Sequence, residues 1–388
     1  MKVADRMESI PFSGIRKIFE EVMRREKAGE EIIHLNIGRP DFDTPAHIKE
    51  AAKKALDEGK VHYSSNYGIP QLREALADKL QRENQMSYDP GEIIVTVGGN
   101  EAVFIAMMGL LDAGDEVLIP DPCWLNYFYC VQMAGGVPVS VPARQEHQFT
   151  PSIEDFRSRV TDKTKMIVIN TPNNPTGAVY STESLQALAQ LAEEKDLYVL
   201  SDEIYEKMVF DGHRHVSFGS LPGMKDRTVT VSGFAKNYSM TGWRLGFVAA
   251  SPAAISAMVR IHQYVTICAT SFAQWGAVAA LNGPQDDVAH MIAEFGRRGA
   301  LVSSALQEMP GIQVAKPAGT FYIFPSITET GKSSQEMAEY LLDEAKIAVV
   351  PGHVFGDYGE GFIRLSYANS YENLEKAMAS MHKALQKL

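Results

Sequence analysis

The stretch Ser232-Gly-Phe-Ala-Lys236-Asn-Tyr-Ser-Met-Thr-Gly-Trp-Arg244-Leu-Gly-Phe247 sets one lysine among small and polar residues, with one arginine further along. Val229-Thr-Val231 before it and the run from Leu245 to Ala250 after it read as apolar strands, so Lys236 lies on a loop between two strands. A charge that is merely solvated gains nothing from that position. A lysine at the rim of a sheet, beside a fixed cation, gives up its proton more readily and can act as an amine nucleophile. Schiff-base chemistry with an aldehyde cofactor needs such an amine.

Outward from this loop lie further segments, each with an ordinary reading of its own. Tyr198-Val-Leu-Ser-Asp202-Glu-Ile-Tyr205 ends an apolar strand in an aspartate, which alone reads as a helix cap. Met166-Ile-Val-Ile-Asn-Thr-Pro-Asn173-Asn174-Pro175-Thr176-Gly177 runs a strand into Asn-Pro and Thr-Gly turn chemistry. In Ile93-Ile-Val-Thr-Val-Gly98-Gly99-Asn100 a strand meets a glycine pair and then an apolar helix, where backbone N–H groups can approach an anion. Pro122-Cys-Trp124-Leu-Asn-Tyr127 follows the strand Glu116-Val-Leu-Ile; by itself Trp124 is core packing. Phe362-Ile-Arg364-Leu-Ser-Tyr is a short strand with one arginine, which in isolation reads as a solvated edge charge.

Together and in this order, from about Ile32 to about Tyr367, these segments resemble the class I and II aminotransferases, fold type I of the pyridoxal 5'-phosphate (PLP) enzymes. Leu35-Asn-Ile-Gly38-Arg-Pro40-Asp-Phe-Asp-Thr-Pro45 and His62-Tyr63-Ser-Ser-Asn-Tyr67-Gly68 match two more of that family's motifs. The resemblance implies a role for each residue. Lys236 would hold PLP and act as the catalytic acid–base. Asp202 would sit on the ring nitrogen, Asn174 and Tyr205 on the phenolic oxygen, and Trp124 on the ring face. Gly98, Gly99, Asn100, Ser232 and Arg244 would surround the phosphate, with Tyr63 reaching it from the neighbouring subunit. Arg364 and the Gly38 backbone would bind the substrate carboxylate, with Trp124 and Asn174 bordering the substrate. One departure stands out: the family's serine three residues before the lysine is Gly233 here, which leaves Ser232 or Ser239 to supply a hydroxyl.

Composition agrees with a large globular protein. The 388 residues are 45% hydrophobic and 22% charged, enough for a sizeable core and for two or three domains. A net charge of -11 argues against nonspecific nucleic-acid binding and against an anionic membrane surface. Three cysteines and no signal peptide predict reduced thiols and a cytoplasmic location. Strands are predicted at 93–97, 117–120, 137–141, 166–170, 198–201, 228–231 and 246–249, separated mostly by amphipathic helices such as 181–195. That is an α/β pattern with a largely parallel sheet between helices. The family adds one antiparallel strand, here 246–249. It also predicts a large PLP-binding domain at 44–284 and a smaller, discontinuous α+β domain made of 1–43 and 285–388.

The expected activity is transfer of an amino group from an L-amino acid to a 2-oxo acid, 2-oxoglutarate or pyruvate, in a homodimer with shared active sites. Aspartate or glutamate is the first-choice donor, with aromatic or aliphatic amino acids behind it. Arg16, Arg39 and Asn100 are the candidates for a second carboxylate. A carbon–sulfur β-lyase or a related elimination enzyme is the alternative, since the same lysine serves it. Two other motifs lead elsewhere. Thr330-Gly331-Lys332-Ser333 looks like the end of a P-loop, but Ser326 stands where the first glycine belongs. His213-Arg-His215 offers metal-type ligands without a supporting cluster, and reads as a surface loop.

Overall fold

Strands that are apolar on both faces need cover on both sides, and the computed structural model, which describes residues 2–388, supplies it. The strands are β1 (Ile33–His34), β2 (Ile93–Thr96), β3 (Glu116–Asp121), β4 (Val137–Pro142), β5 (Thr164–Asn170), β6 (Tyr198–Asp202), β7 (Thr228–Gly233), β8 (Gly246–Ala249), β9 (Tyr322–Ile323), β10 (Ile347–Ala348), β11 (Val350–Pro351) and β12 (Ile363–Ser366). Seven of them form one sheet in the order β2-β8-β7-β6-β5-β3-β4. Within it β8 runs antiparallel to both neighbours, and the other pairs are parallel.

Alternation along the strands divides the core. Val117, Ile119, Val168 and Leu200 face a cluster with Ala102, Ile105, Ile255 and Met258. Leu118, Ile167, Ile169 and Val199 face the opposite cluster with Phe156, Leu185, Leu188 and Leu191. Each fully buried aliphatic side chain contributes about 1.5–3 kcal/mol. The helix Thr182–Glu194 begins where its sequence says it should, because the Ser181 hydroxyl caps it by accepting the Ser184 N–H at 3.2 Å.

Two smaller sheets stand apart. Parallel pairing of β1 with β10 joins the N-terminal segment to the C-terminal part of the chain. In the other, β12 lies between β11 and β9, antiparallel to both. The run 317–324 looks like one strand in the sequence, yet only Tyr322–Ile323 form a strand, and Gly319 makes an isolated bridge to Val209. Thr320 has a φ of 63°, which an extended ladder cannot accommodate. The P-loop lookalike is a helix start: Ser333 caps the helix Ser334–Tyr340 with a reciprocal bond from Glu336. No helix among the described residues is long and apolar enough to cross a membrane. Cys123, Cys130 and Cys268 are free thiols.

Candidate active site

In an open α/β sheet, functional groups gather beyond the carboxyl ends of the strands. Here β3, β5, β6 and the β7–β8 loop end around a cavity of about 310 Å³. Gly38, Gly99, Asn100, Trp124, Asn174, Asp202, Tyr205, Lys236, Arg244 and Arg364 all line it. Residues separated by more than three hundred positions therefore meet in one space.

Lys236 Nζ donates to the Gly38 carbonyl at 2.5 Å. Burial lowers the ammonium pKa to about 8, with Arg364 and Arg244 adding to the effect and Asp202 opposing it. Asp202 ends β6 and is fully enclosed. Tyr127 Oη donates to its Oδ2 at 2.7 Å and the Ile204 N–H to its Oδ1 at 3.1 Å. Burial raises the Asp202 carboxyl to about 6, against the pull of these donors. Two carboxylate lone-pair directions remain for a cation. Tyr205 shares a 3.0 Å bond with the Tyr322 hydroxyl, and burial pushes its phenol well above the ordinary range.

Arg364 on β12 is 2% exposed. It donates to Asn174 Oδ1 at 3.1 Å and to the Asn36 carbonyl at 2.7 Å. The Tyr322 and Phe355 rings lie 4.4 and 4.9 Å from its guanidinium carbon. Its Nε is buried without a partner. With its oxygen engaged, Asn174 has its amide N–H groups left to offer. At the opposite end, Arg244 has a φ of 53° and donates to the Thr241 and Val97 carbonyls at 3.2 and 3.4 Å. Gly98, with a φ of 79°, lies just behind it, and a Cβ there would stand 2.5 Å from Arg244 Nη2. Only glycine leaves that space.

A deep acid, a pKa-lowered lysine and two arginines at opposite ends fit a molecule with a cationic ring and a phosphate. The chain matches the family model "Aminotransferase class I and II" over residues 30–381. The chain belongs to the class I and II aminotransferases. It is 47% identical to an aspartate aminotransferase of Pyrococcus abyssi over 99% of this chain and 98% of that protein. It is also 47% identical to aromatic-amino-acid aminotransferase 2 of Thermococcus litoralis, again over 99% and 98%. Among solved structures, aspartate aminotransferase from Thermus thermophilus with maleate matches at 40% identity and a TM-score of 0.95, covering 99% of this chain and 100% of that one. This aminotransferase uses PLP, as the family does.

Two expected site residues, Ser232 and Gly98, do not line the cavity. Ser232 is buried in β7 and spends its hydroxyl on the Glu203 carbonyl at 3.3 Å, so it does not face the cavity. Thr241, absent from the expected set, lines the wall beside Arg244. Ser239 turns to Met291, 3.2 Å away, instead of filling that place. Gly98 stands behind the wall, as described. Tyr63 is 82% exposed, on a surface groove with His62, Cys268 and Phe272, away from this chain's own cavity. Of the candidates for a second carboxylate, Arg16 pairs with Glu20 at 3.0 Å on a helix surface, whereas Arg39 and Asn100 line the cavity. Sequence reasoning missed Tyr127, Tyr322 and Ile15. The first sits within a quoted motif, and its edge-on contact with Trp124 at 5.4 Å shows how that motif is held together.

Proposed function

We propose that the residues gathered in this cavity divide the work of transamination as follows. PLP supplies an aldehyde carbon and a ring that accepts electrons. Lys236 would hold the cofactor and then, through Nζ, would carry the proton from the substrate α-carbon to the cofactor's aldehyde carbon. Its pKa near 8 suits both jobs around neutrality. Asp202 keeps the floor of the cavity negative, and Tyr205 and Asn174 offer O–H and N–H donors along its side. Arg364 receives the α-carboxylate and so fixes which face of the α-carbon meets Lys236. Arg244, Gly99, Asn100 and Thr241 would hold the phosphate. The observation that carries this reading is Arg364: a buried guanidinium whose Nε lacks a partner, opening on the same cavity as Lys236. A buried donor without an acceptor is costly, and a substrate carboxylate satisfies it.

The donor is aspartate with 2-oxoglutarate as acceptor or, in the reverse direction, glutamate with the 2-oxo acid of aspartate. Arg39 supports this: it lines the cavity, is exposed, and has no ion-pair partner among the described residues. An aromatic donor is the second reading, favoured by Ile15 and Trp124 in the same wall. Kinetics with aspartate and tyrosine before and after Arg39→Gln separate them. A rise in KM for aspartate but not for tyrosine supports the dicarboxylate; equal constants for both donors in both proteins refute it.

The working unit is a homodimer in which the regions 44–284 and 1–43 plus 285–388 act as two domains around the cleft. The exposed apolar side chains Val61, Tyr63, Tyr264, Val265 and Ile267 support the dimer, since together they form a surface that a second copy would cover. Tyr63 would then reach the phosphate end of the partner.

A further inference from the structure

The segment carrying Asp202 and Tyr205 has a second polar face, turned away from the cavity. Consecutive side chains of an extended chain point in opposite directions. Asp202 faces in, and Glu203, 1% exposed, faces out. One Glu203 oxygen accepts from Ser201 Oγ at 2.8 Å and the Phe218 N–H at 3.1 Å; the other accepts from His215 Nε2 at 3.0 Å and Ser217 Oγ at 2.6 Å. Glu206, beside Tyr205, is held by Lys79 Nζ at 2.5 and 2.6 Å and by Asn84 Nδ2 at 2.7 Å. Asn84 also donates to Ser217 Oγ at 2.7 Å, which joins the two halves.

His215 thus leaves the surface loop that its sequence suggested; its side chain is 8% exposed. Burial alone would lower the imidazole, yet Glu203 holds it above its ordinary pKa. Burial alone would raise Glu203, yet His215 and the hydroxyl donors hold it below. The two form an ion pair. Glu203, Glu206 and His215 are ligand types for a metal, but the Lys79 ammonium already fills the cation's place. Buried ion pairs add little stability over a packed apolar core. What this network supplies is fixed geometry. Its main chain takes part as well: the Glu203 N–H donates to the Val231 carbonyl at 2.8 Å and its carbonyl accepts Ser232 Oγ. The network is therefore anchored to the strand that leads to Lys236.

We propose that Glu203 and His215 are positioning residues for the cofactor, pinning residues 201–206 from behind so that Asp202 and Tyr205 face the cavity in one fixed arrangement. The inference rests on the assignment of Asp202 and Tyr205 to the cofactor. The test uses the full chain with His215→Leu and His215→Gln, reading the PLP dissociation constant of the apoprotein, the visible circular dichroism of bound PLP, and apoprotein melting. His215→Leu weakens PLP binding by about tenfold, the effect of one lost charged hydrogen bond. It also reduces the visible dichroism and lowers kcat with little change in amino-acid KM. His215→Gln keeps an N–H donor toward Glu203 and restores affinity to within about threefold. PLP affinity and dichroism unchanged in His215→Leu overturn the proposal, whatever the melting temperature. If that variant does not fold, Ser217→Ala removes a neighbouring donor at the loss of one atom. It is read in the same way, with a shift of about threefold. Asp202→Asn runs in parallel. An unaffected Asp202→Asn overturns the assignment of Asp202 and the proposal with it; an impaired Asp202→Asn beside an unaffected His215→Leu overturns the network alone.

Discussion

The two arginines at opposite ends of the cavity are built in different ways. Arg364 is enclosed, stacked between Tyr322 and Phe355, and oriented by Asn174 and Asn36 before any ligand arrives. Arg244 is exposed and touches only two backbone carbonyls, both beyond 3.1 Å. One end is enclosed, and the other is open. A carboxylate must be read accurately at every turnover, so its receptor is rigid in advance. A phosphate that stays bound needs charge and N–H groups, and in the dimer proposed above the exposed Tyr63 would add a hydroxyl to it.

Substitutions along the cavity test that contrast. The largest effect belongs to the group between the two ends: Lys236→Ala lowers the transamination rate by about 10^4-fold in stopped-flow half-reactions. Arg364→Ala lowers kcat/KM for amino acids by about 10^3-fold, from the loss of a charged, bidentate contact, while PLP affinity stays within about threefold. Arg244→Ala does the reverse: the PLP dissociation constant rises by about 10^2-fold, and kcat at saturating PLP changes little. Parallel losses of PLP and substrate binding in both variants would erase the distinction between the ends.

Asp202 adds a pH dependence. Its carboxyl, raised to about 6, is ionised above that value and protonated below it. The ionised form binds a cationic ring, so PLP affinity is full above pH 6 and falls by up to about tenfold per unit below it. Titration of Asp202→Asn should show a flat profile across the same range. The smallest effect is at the open end: Tyr63→Phe weakens PLP binding by about fivefold, one hydrogen bond's worth. The loss should vanish at dilutions that separate the subunits.

Much of this was legible in the chain. Every strand of the large sheet was predicted within two residues at either end, because β-branched apolar runs bounded by turn residues have few other uses. The residues now lining the cavity were recognisable where a local motif carried them, as with Asp202 at a strand end and Asn174 in its turn. Long-range packing escaped. Tyr322 reaches Tyr205 from a segment more than a hundred residues away, and nothing near it in sequence announces that. His215 looks like a loop residue in the sequence because its partner Glu203 becomes a neighbour only when the chain after β6 folds back. Ser232 was assigned a hydroxyl role by its distance from Lys236, but strand pairing sends that hydroxyl to Glu203.

The most direct measurement is the visible spectrum of the purified PLP-bound protein, first with aspartate, glutamate or tyrosine alone, and then with 2-oxoglutarate. The account predicts that a donor removes the visible cofactor band in favour of a near-ultraviolet one, that 2-oxoglutarate restores it, and that no ammonia is released. A band that no donor bleaches, or that bleaches only with release of ammonia, would contradict it.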